Sequence, residues 1–372
     1  MSSMENITNS TKSKKKILVV DDSALMRRVM CDIINSDERF QVVEQAFDGE
    51  AAYALLKQNQ YDGVVLDVNM PKINGIQLLR ILQKDKIRVR VMMASTDTRE
   101  GASVTMEALE LGAIDFVEKP ANIVYLKGEV FKKKFLDILN AVVTSRQTNI
   151  ALTPVIPRQK QEEHTQKLVN IVKKSSPAVS GQKMVALACS TGGPKALQSV
   201  VPRLPKELAA PVVIVQHMPK GFTQSLAERL DALSPVKVKE AAEGDVLENG
   251  TVYIAMGGKH LNIVTKAGKA TITYTDEPPR EGVKPCANYM YESLKTSSYA
   301  QIVCVVLTGM GADGTKGIVN LETAKKIHVI AQDEATSTVY GMPKAIAATG
   351  LVNQMVPLDD VAQEIIMNVG VK

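Results

Sequence analysis

Apolar runs that end in glycine- or proline-rich turns recur along this chain, and they restrict it to one class of fold. In the second half the runs Met184–Ala188, Val212–Val215 and Ile302–Leu307 lead into Ser190-Thr191-Gly192-Gly193, Gln216-His217-Met218-Pro219 and Gly309-Met310-Gly311-Ala312-Asp313-Gly314. Such runs read as strands buried on both faces, as in a parallel sheet covered by helices. Side chains just past the carboxyl ends of those strands meet in one crevice. Ser190, His217 and Asp313 are therefore expected together, and a hydroxyl, an imidazole and a carboxylate are the parts of a nucleophilic hydrolase.

The first half follows the same rule. Strands are expected at Ile17–Val20, Val42–Ala46, Gly63–Leu66, Val89–Ala94 and Asp115–Val117, with helices such as Ala24–Asn35, Gly49–Lys57 and Gly75–Lys84 between them. This βα alternation predicts a doubly wound five-stranded parallel domain over residues 16–140. From 145 to 182 the periodicity fails amid Pro154, Pro157 and Pro177, which predicts a linker with at most a brief amphipathic helix at Glu163–Lys174. Residues 183–372 then read as a larger α/β domain. Its further strands are expected at Val236–Glu240, Thr251–Ile254, Asn262–Val264, Thr271–Thr275, His328–Ala331 and Gly350–Gln354, with antiparallel hairpin content near Thr251–Thr275. Its helices are expected after Gly193, Gly221, Ala287, Gly314 and Gly341.

A chain of 372 residues accommodates two such domains. The formal charge of +5 is carried by the amino-terminal tail and the linker, not by a folded face, so no nucleic-acid partner is expected. No run reaches the roughly 20 apolar residues that span a bilayer, and the polar amino terminus is not a signal peptide. Cys31, Cys189, Cys286 and Cys304 show no metal-ligand spacing and read as reduced thiols of a cytoplasmic protein.

In the first domain Asp21 and Asp22 follow the first strand, Asp67 the third, Ser95 the fourth and Lys119 the fifth. All lie on the carboxyl edge of the sheet. Clustered carboxylates repel one another and call for a cation, and an oxygen-only site suits Mg²⁺. A lysine and a hydroxyl beside them can bind an added phosphoryl oxygen. The segments Ile17-Leu18-Val19-Val20-Asp21-Asp22-Ser23, Val65-Leu66-Asp67-Val68-Asn69-Met70-Pro71-Lys72-Ile73-Asn74-Gly75 and Lys119-Pro120 resemble the receiver domain of bacterial response regulators. The resemblance implies phosphorylation of Asp67, with Mg²⁺ held by Asp21, Asp22, Asp67 and the Asn69 carbonyl. Asn74 stands where many receivers carry Asp.

In the second domain Ser190 sits at a glycine-rich strand-to-helix turn, where free N–H groups can stabilise an oxyanion. His217 is the natural general base and Asp313 its orienter. Read alone, each has an ordinary alternative: a helix cap or phosphate nest at Ser190, a satisfied turn histidine, a turn aspartate before Gly314. His260 competes as base. The order Ser…His…Asp and the missing GxSxG elbow set the chain apart from α/β-hydrolases. The three turns, with Gly221-Phe222-Thr223 and Gly341-Met342-Pro343, resemble the catalytic domain of the chemotaxis protein-glutamate methylesterases. Thr191 and Met310 are then implied beside the oxyanion or substrate-positioning site. Cys189, Ala312 and Cys286-Ala287-Asn288 depart from the usual family residues.

The resemblance implies a phosphorylation-activated esterase that hydrolyses glutamate γ-methyl esters on chemoreceptor cytoplasmic helices in chemotaxis adaptation. It implies deamidation of Gln as a companion activity and a chemotaxis histidine kinase as phosphodonor. Mg²⁺ serves the receiver, and the ester step needs no cofactor. Two competing readings are weaker. A DNA-binding output lacks a helix-turn-helix pattern, and a nucleotide site at Ser190–Gly193 lacks the Gly-Lys-Ser/Thr of a phosphate loop.

Overall fold

The structure, a computed structural model, describes residues 13–96, 99–120, 128–146 and 181–372. Its first part runs β1 (Lys15–Val20), α1 (Ala24–Asn35), β2 (Phe40–Ala46), α2 (Gly49–Gln58), β3 (Gly63–Asp67), α3 (Gly75–Lys84), β4 (Val91–Thr96), α4 (Arg99–Glu110), β5 (Asp115–Lys119) and α5 (Glu129–Thr144). The five strands are parallel in the order β2-β1-β3-β4-β5. β3 is buried along its whole length, so its side chains have helices to pack against on both faces. Helix starts follow local chemistry: Ser23 and Asp48 accept backbone N–H groups at the starts of α1 and α2, and Asn74 with Gln77 forms a capping box on α3.

The second part runs β6 (Lys183–Cys189), α6 (Gly193–Val200), β7 (Val212–Gln216), α7 (Phe222–Leu233), β8 (Lys237–Glu240), β9 (Thr251–Ile254), β10 (His260–Lys266), β11 (Lys269–Thr275), α8 (Ala287–Ser293), β12 (Gln301–Val306), α9 (Thr315–Glu322), β13 (Lys326–Gln332), α10 (Met342–Ala347), β14 (Gln354–Val356) and α11 (Val361–Val369). Seven strands form a parallel sheet in the order β14-β13-β12-β6-β7-β9-β8. The first strand lies at its centre, between β12 and β7, which is the switch point of a doubly wound sheet.

One local expectation is sharpened, one needs correction, and one helix was missed. The antiparallel hairpin is β10 with β11 in a separate two-stranded sheet, whereas Thr251–Ile254 pairs in the main parallel sheet. The strand expected at Gly350–Gln354 begins only at Gln354, because Gly350 (φ +76°) takes the left-handed turn that follows α10. α11 was not anticipated, although Val361, Ala362, Ile365, Ile366 and Val369 bury one stripe at helical spacing. The helix expected at Glu163–Lys174 lies outside the described residues.

The two sheets' helical layers touch. α4 packs on α7, and Phe116 of β5 stacks on Phe222 with ring centroids 4.7 Å apart. The Glu110 carboxylate accepts from Arg229 at 2.7 Å and from Gln198 at 3.3 Å. Arg146 pairs with Glu334 at 2.6 Å. No helix among the described residues is long and apolar enough to cross a membrane.

Candidate active site and phosphoacceptor pocket

Strand register brings the serine and the histidine together. Cys189 on β6 lies opposite Gln216 on β7, and Val306 on β12 lies opposite Ala188. Ser190 and His217 therefore leave neighbouring strands at the same level, about 5 Å apart in the backbone. The chain past β12 folds over them: the Ser190 N–H donates to the Thr308 carbonyl at 3.0 Å. Gly309 is held so close that an added Cβ would stand 2.9 Å from the Ser190 Cβ and strike the Met342 sulfur. Beneath the two turns, the buried Gln216 amide donates to the Ser190 carbonyl at 3.1 Å and to the His217 carbonyl at 3.2 Å.

The acid partner is fixed more firmly. The His217 Nε2–H donates to Asp313 Oδ2 at 2.7 Å. The same oxygen accepts from the Ala287 N–H at 2.6 Å, and Oδ1 accepts from Cys286 Sγ at 3.0 Å, the Asn288 N–H at 3.0 Å and the Gly314 N–H at 2.8 Å. Burial alone would push this carboxyl upward. The hydrogen bonds and charge of His217, with the Cys286 and Ala287 donors, outweigh it and hold the group down at about 2. Asp313 is thus an anion throughout the neutral range.

Thr191 is buried and its carbonyl accepts from Thr308 Oγ1 at 2.9 Å, while Met310 is 38% exposed at the mouth of the turn. Among the described residues no backbone acceptor is found for the N–H groups of Thr191 and Met310. The Ser190 hydroxyl makes no hydrogen bond to the His217 ring among the described residues. His260 is remote in role. It is fully buried, bonded through Nε2 to the Pro278 carbonyl and packed on Tyr289.

Sequence reasoning missed Gln216 as the tie between the two turns. It also missed Asn288, whose buried Oδ1 accepts from the Gly314 and Gly317 N–H groups. A buried amide carries no spacing signal; only the fold shows what it satisfies.

In the first part Asp21, Asp22 and Asp67 offer carboxylate oxygens that all lie within 4.8 Å of one another. An oxygen-only set of this size fits a hard divalent ion. Lys119 Nζ reaches Asp67 Oδ1 at 2.6 Å and Asp21 Oδ2 at 3.1 Å. Burial raises Asp67 to about 6; the Lys119 ammonium opposes this and the Asp21 charge adds to it. Asn69 is exposed on the same loop, two residues beyond Asp67. Ser95 is buried, and its hydroxyl is held by Thr105 at 2.8 Å and the Gly101 carbonyl at 3.3 Å in α4, not by Asp67.

A carboxylate pocket of the response-regulator kind, coupled to a second α/β domain bearing a serine–histidine–aspartate crevice, defines a two-component regulator with a hydrolase output. Residues 17–130 match the response regulator receiver domain and residues 185–365 match the CheB methylesterase. The protein-glutamate methylesterase/protein-glutamine glutaminase of Pyrococcus horikoshii is 41% identical over 95% of this chain and 93% of that one. The Bacillus subtilis protein of the same name is 37% identical over 94% and 97%. The chain belongs to this methylesterase family. Among solved structures, the CheB methylesterase catalytic domain of Thermotoga maritima is 39% identical and covers 51% of this chain and all of its own, with a TM-score of 0.49.

Proposed function

We propose that the chain is a phosphorylation-activated protein-glutamate methylesterase that removes γ-methyl esters from glutamates on chemoreceptor cytoplasmic helices, and that it deamidates glutamines by the same acyl chemistry. The observation that carries this reading is the in-register exit of Ser190 and His217 from adjacent strands, with Asp313 bound to the ring at 2.7 Å. Because Nε2–H is given to Asp313, Nδ1 is the nitrogen that takes the serine proton. Ser190 Oγ attacks the side-chain carbonyl, and the Thr191 and Met310 N–H groups receive the oxyanion. Each such donor is worth roughly 3–4 kcal/mol in hydrolases where one has been removed. The imidazolium returns its proton to leaving methanol or ammonia, and water, deprotonated by His217, releases the new carboxylate. Asp313 stabilises the imidazolium throughout.

We assign residues 16–140 to the receiver, 145–182 to a linker and 183–372 to the catalytic domain, in a cytoplasmic protein served by a chemotaxis histidine kinase. Asp21, Asp22, Asp67 and the Asn69 carbonyl would hold Mg²⁺, which supplies charge neutralisation during phosphoryl transfer to Asp67. Lys119 and Ser95 would bind the phosphoryl oxygens, Ser95 after giving up its α4 partners. The receiver's α4–β5 face covers α6 and α7, the helices that follow Ser190 and His217. Phosphorylation adds about −1.5 to −2 charges to the receiver pocket and biases the docked state toward an open one.

The test is methanol release from methylated receptor membranes, with and without a small phosphodonor. Ser190→Ala and His217→Ala should abolish release and leave labelling of Asp67 intact, and Asp67→Asn should remove the stimulation. Release at the normal rate from either triad variant would sink the assignment.

A further inference from the structure

Asp313 is held by donors of two kinds, and only one kind is open to side-chain variation. Three are backbone N–H groups, from Ala287, Asn288 and Gly314. Apart from His217, the only side chain that donates to this carboxylate among the described residues is Cys286, whose Sγ lies 3.0 Å from Oδ1. That sulfur is fully buried at the residue that caps α8. It is a donor and not a thiolate: burial, and then the Asp313 charge, push the Cys286 thiol up to about 12.

The surroundings hold the carboxylate through both of its oxygens. Gly317 lets α9 close on α8, since a Cβ there would meet the Asn288 Cα at 2.8 Å. Asn288 Oδ1 fixes both the Gly314 and Gly317 N–H groups. The backbone positions of the cage are therefore set by packing. Rotation of the carboxyl group about its own bond is limited by the donors on its two oxygens, and on Oδ1 the Cys286 S–H is the one supplied by a side chain.

We infer that Cys286 is a positioning residue for the ester hydrolysis: its S–H, beside the Asn288 and Gly314 N–H groups, holds Asp313 Oδ1, so that Oδ2 stays with His217. The inference rests on the serine–histidine–aspartate reading above. It asks nothing of the thiol as a nucleophile or metal ligand; the sulfur acts only through Asp313.

The experiment compares Cys286→Val, which keeps the bulk and loses the donor, with Cys286→Ser, which keeps the donor. Both are made in the full-length protein, phosphorylated with a small phosphodonor and assayed on methylated receptor membranes. Rates are normalised to the serine titrated by a fluorophosphonate probe, so that a loss of folded protein does not count as a loss of turnover. Cys286→Val should lower kcat about tenfold, the scale of a lost hydrogen bond to a charged group, with KM unchanged. Cys286→Ser should stay within about twofold of the parent. Equal turnover for Val and the parent overturns the inference, and so does an equal loss for Val and Ser, which would assign the sulfur to packing. If Val prevents folding, Cys286→Ala takes its place under the same criteria. Ser190→Ala is run alongside: activity there defeats the triad itself, whereas an inactive Ser190→Ala beside a fully active Cys286→Val defeats only the role of the sulfur.

Discussion

Cys189 and Gln216 face each other across β6 and β7, and the Cys189 thiol donates to Gln216 Oε1 at 3.0 Å. The pair sits one residue below the reacting groups. The same amide holds the carbonyls of both Ser190 and His217. The relative height of nucleophile and base, given by strand register, is thus tied by a buried polar pair beneath them. Gln216→Leu should leave two carbonyls without their donor and cost about 1–3 kcal/mol. Urea unfolding would show the loss of stability, and kcat should fall with it.

Gly309 packs against Ser190 with no room for a methyl group. Gly309→Ala should displace either the nucleophile or Met342 and cost about 1–3 kcal/mol from overpacking. Labelling by a fluorophosphonate probe should slow, because the Ser190 Cβ is one of the two groups the added methyl meets.

Asp313 titrates at about 2 in the folded protein, against roughly 3.9 when unfolded. A depressed folded value means the stabilisation is fully present above the unfolded value and is lost as pH falls toward 2. It amounts to on the order of 2 kcal/mol. Asp313→Asn cannot titrate. The stability gap between parent and variant should therefore shrink by about that amount between pH 5 and pH 2. Urea midpoints measured across that range check it, and a constant gap would contradict the depressed value.

The interdomain contacts are modest in size. An exposed pair such as Glu110–Arg229 contributes about 0.2–1 kcal/mol, and a stack such as Phe116–Phe222 about 0.5–1.5 kcal/mol beyond area burial. A docked state held by such contacts is within reach of a phosphorylation switch. Phe116→Ala and Glu110→Ala should raise the methanol-release rate of the unphosphorylated chain several-fold and narrow the response to a phosphodonor. Unchanged basal rates in both would remove the receiver from control of the crevice.

All four cysteines are buried and free. Burial pushes Cys31 up to about 11 and raises Cys189 and Cys304 further. The thiolate is the reactive form. An aromatic disulfide reagent at pH 8 should therefore modify the native protein slowly and all four thiols promptly in urea.

The sequence alone determined the layer architecture, because apolar runs closed by glycine turns can be buried only as covered parallel strands. Most strands and helix starts were legible for that reason, and so were Asp21, Asp22, Asp67 and Lys119, each placed at a strand end. The exit of Ser190 and His217 from neighbouring strands at one level followed from the same rule. What only the tertiary structure decided depends on contacts between distant segments. The start of β14 was set by a glycine turn, and the separation of the hairpin by pairing partners. Ser95 turned toward α4 because Thr105 and the Gly101 carbonyl compete for its hydroxyl. The five donors around Asp313 come from three stretches of chain that no local pattern relates. Periodicity reports which face a residue presents, while hydrogen-bond partners across 25 to 96 residues are fixed only when the sheets and helices close on one another.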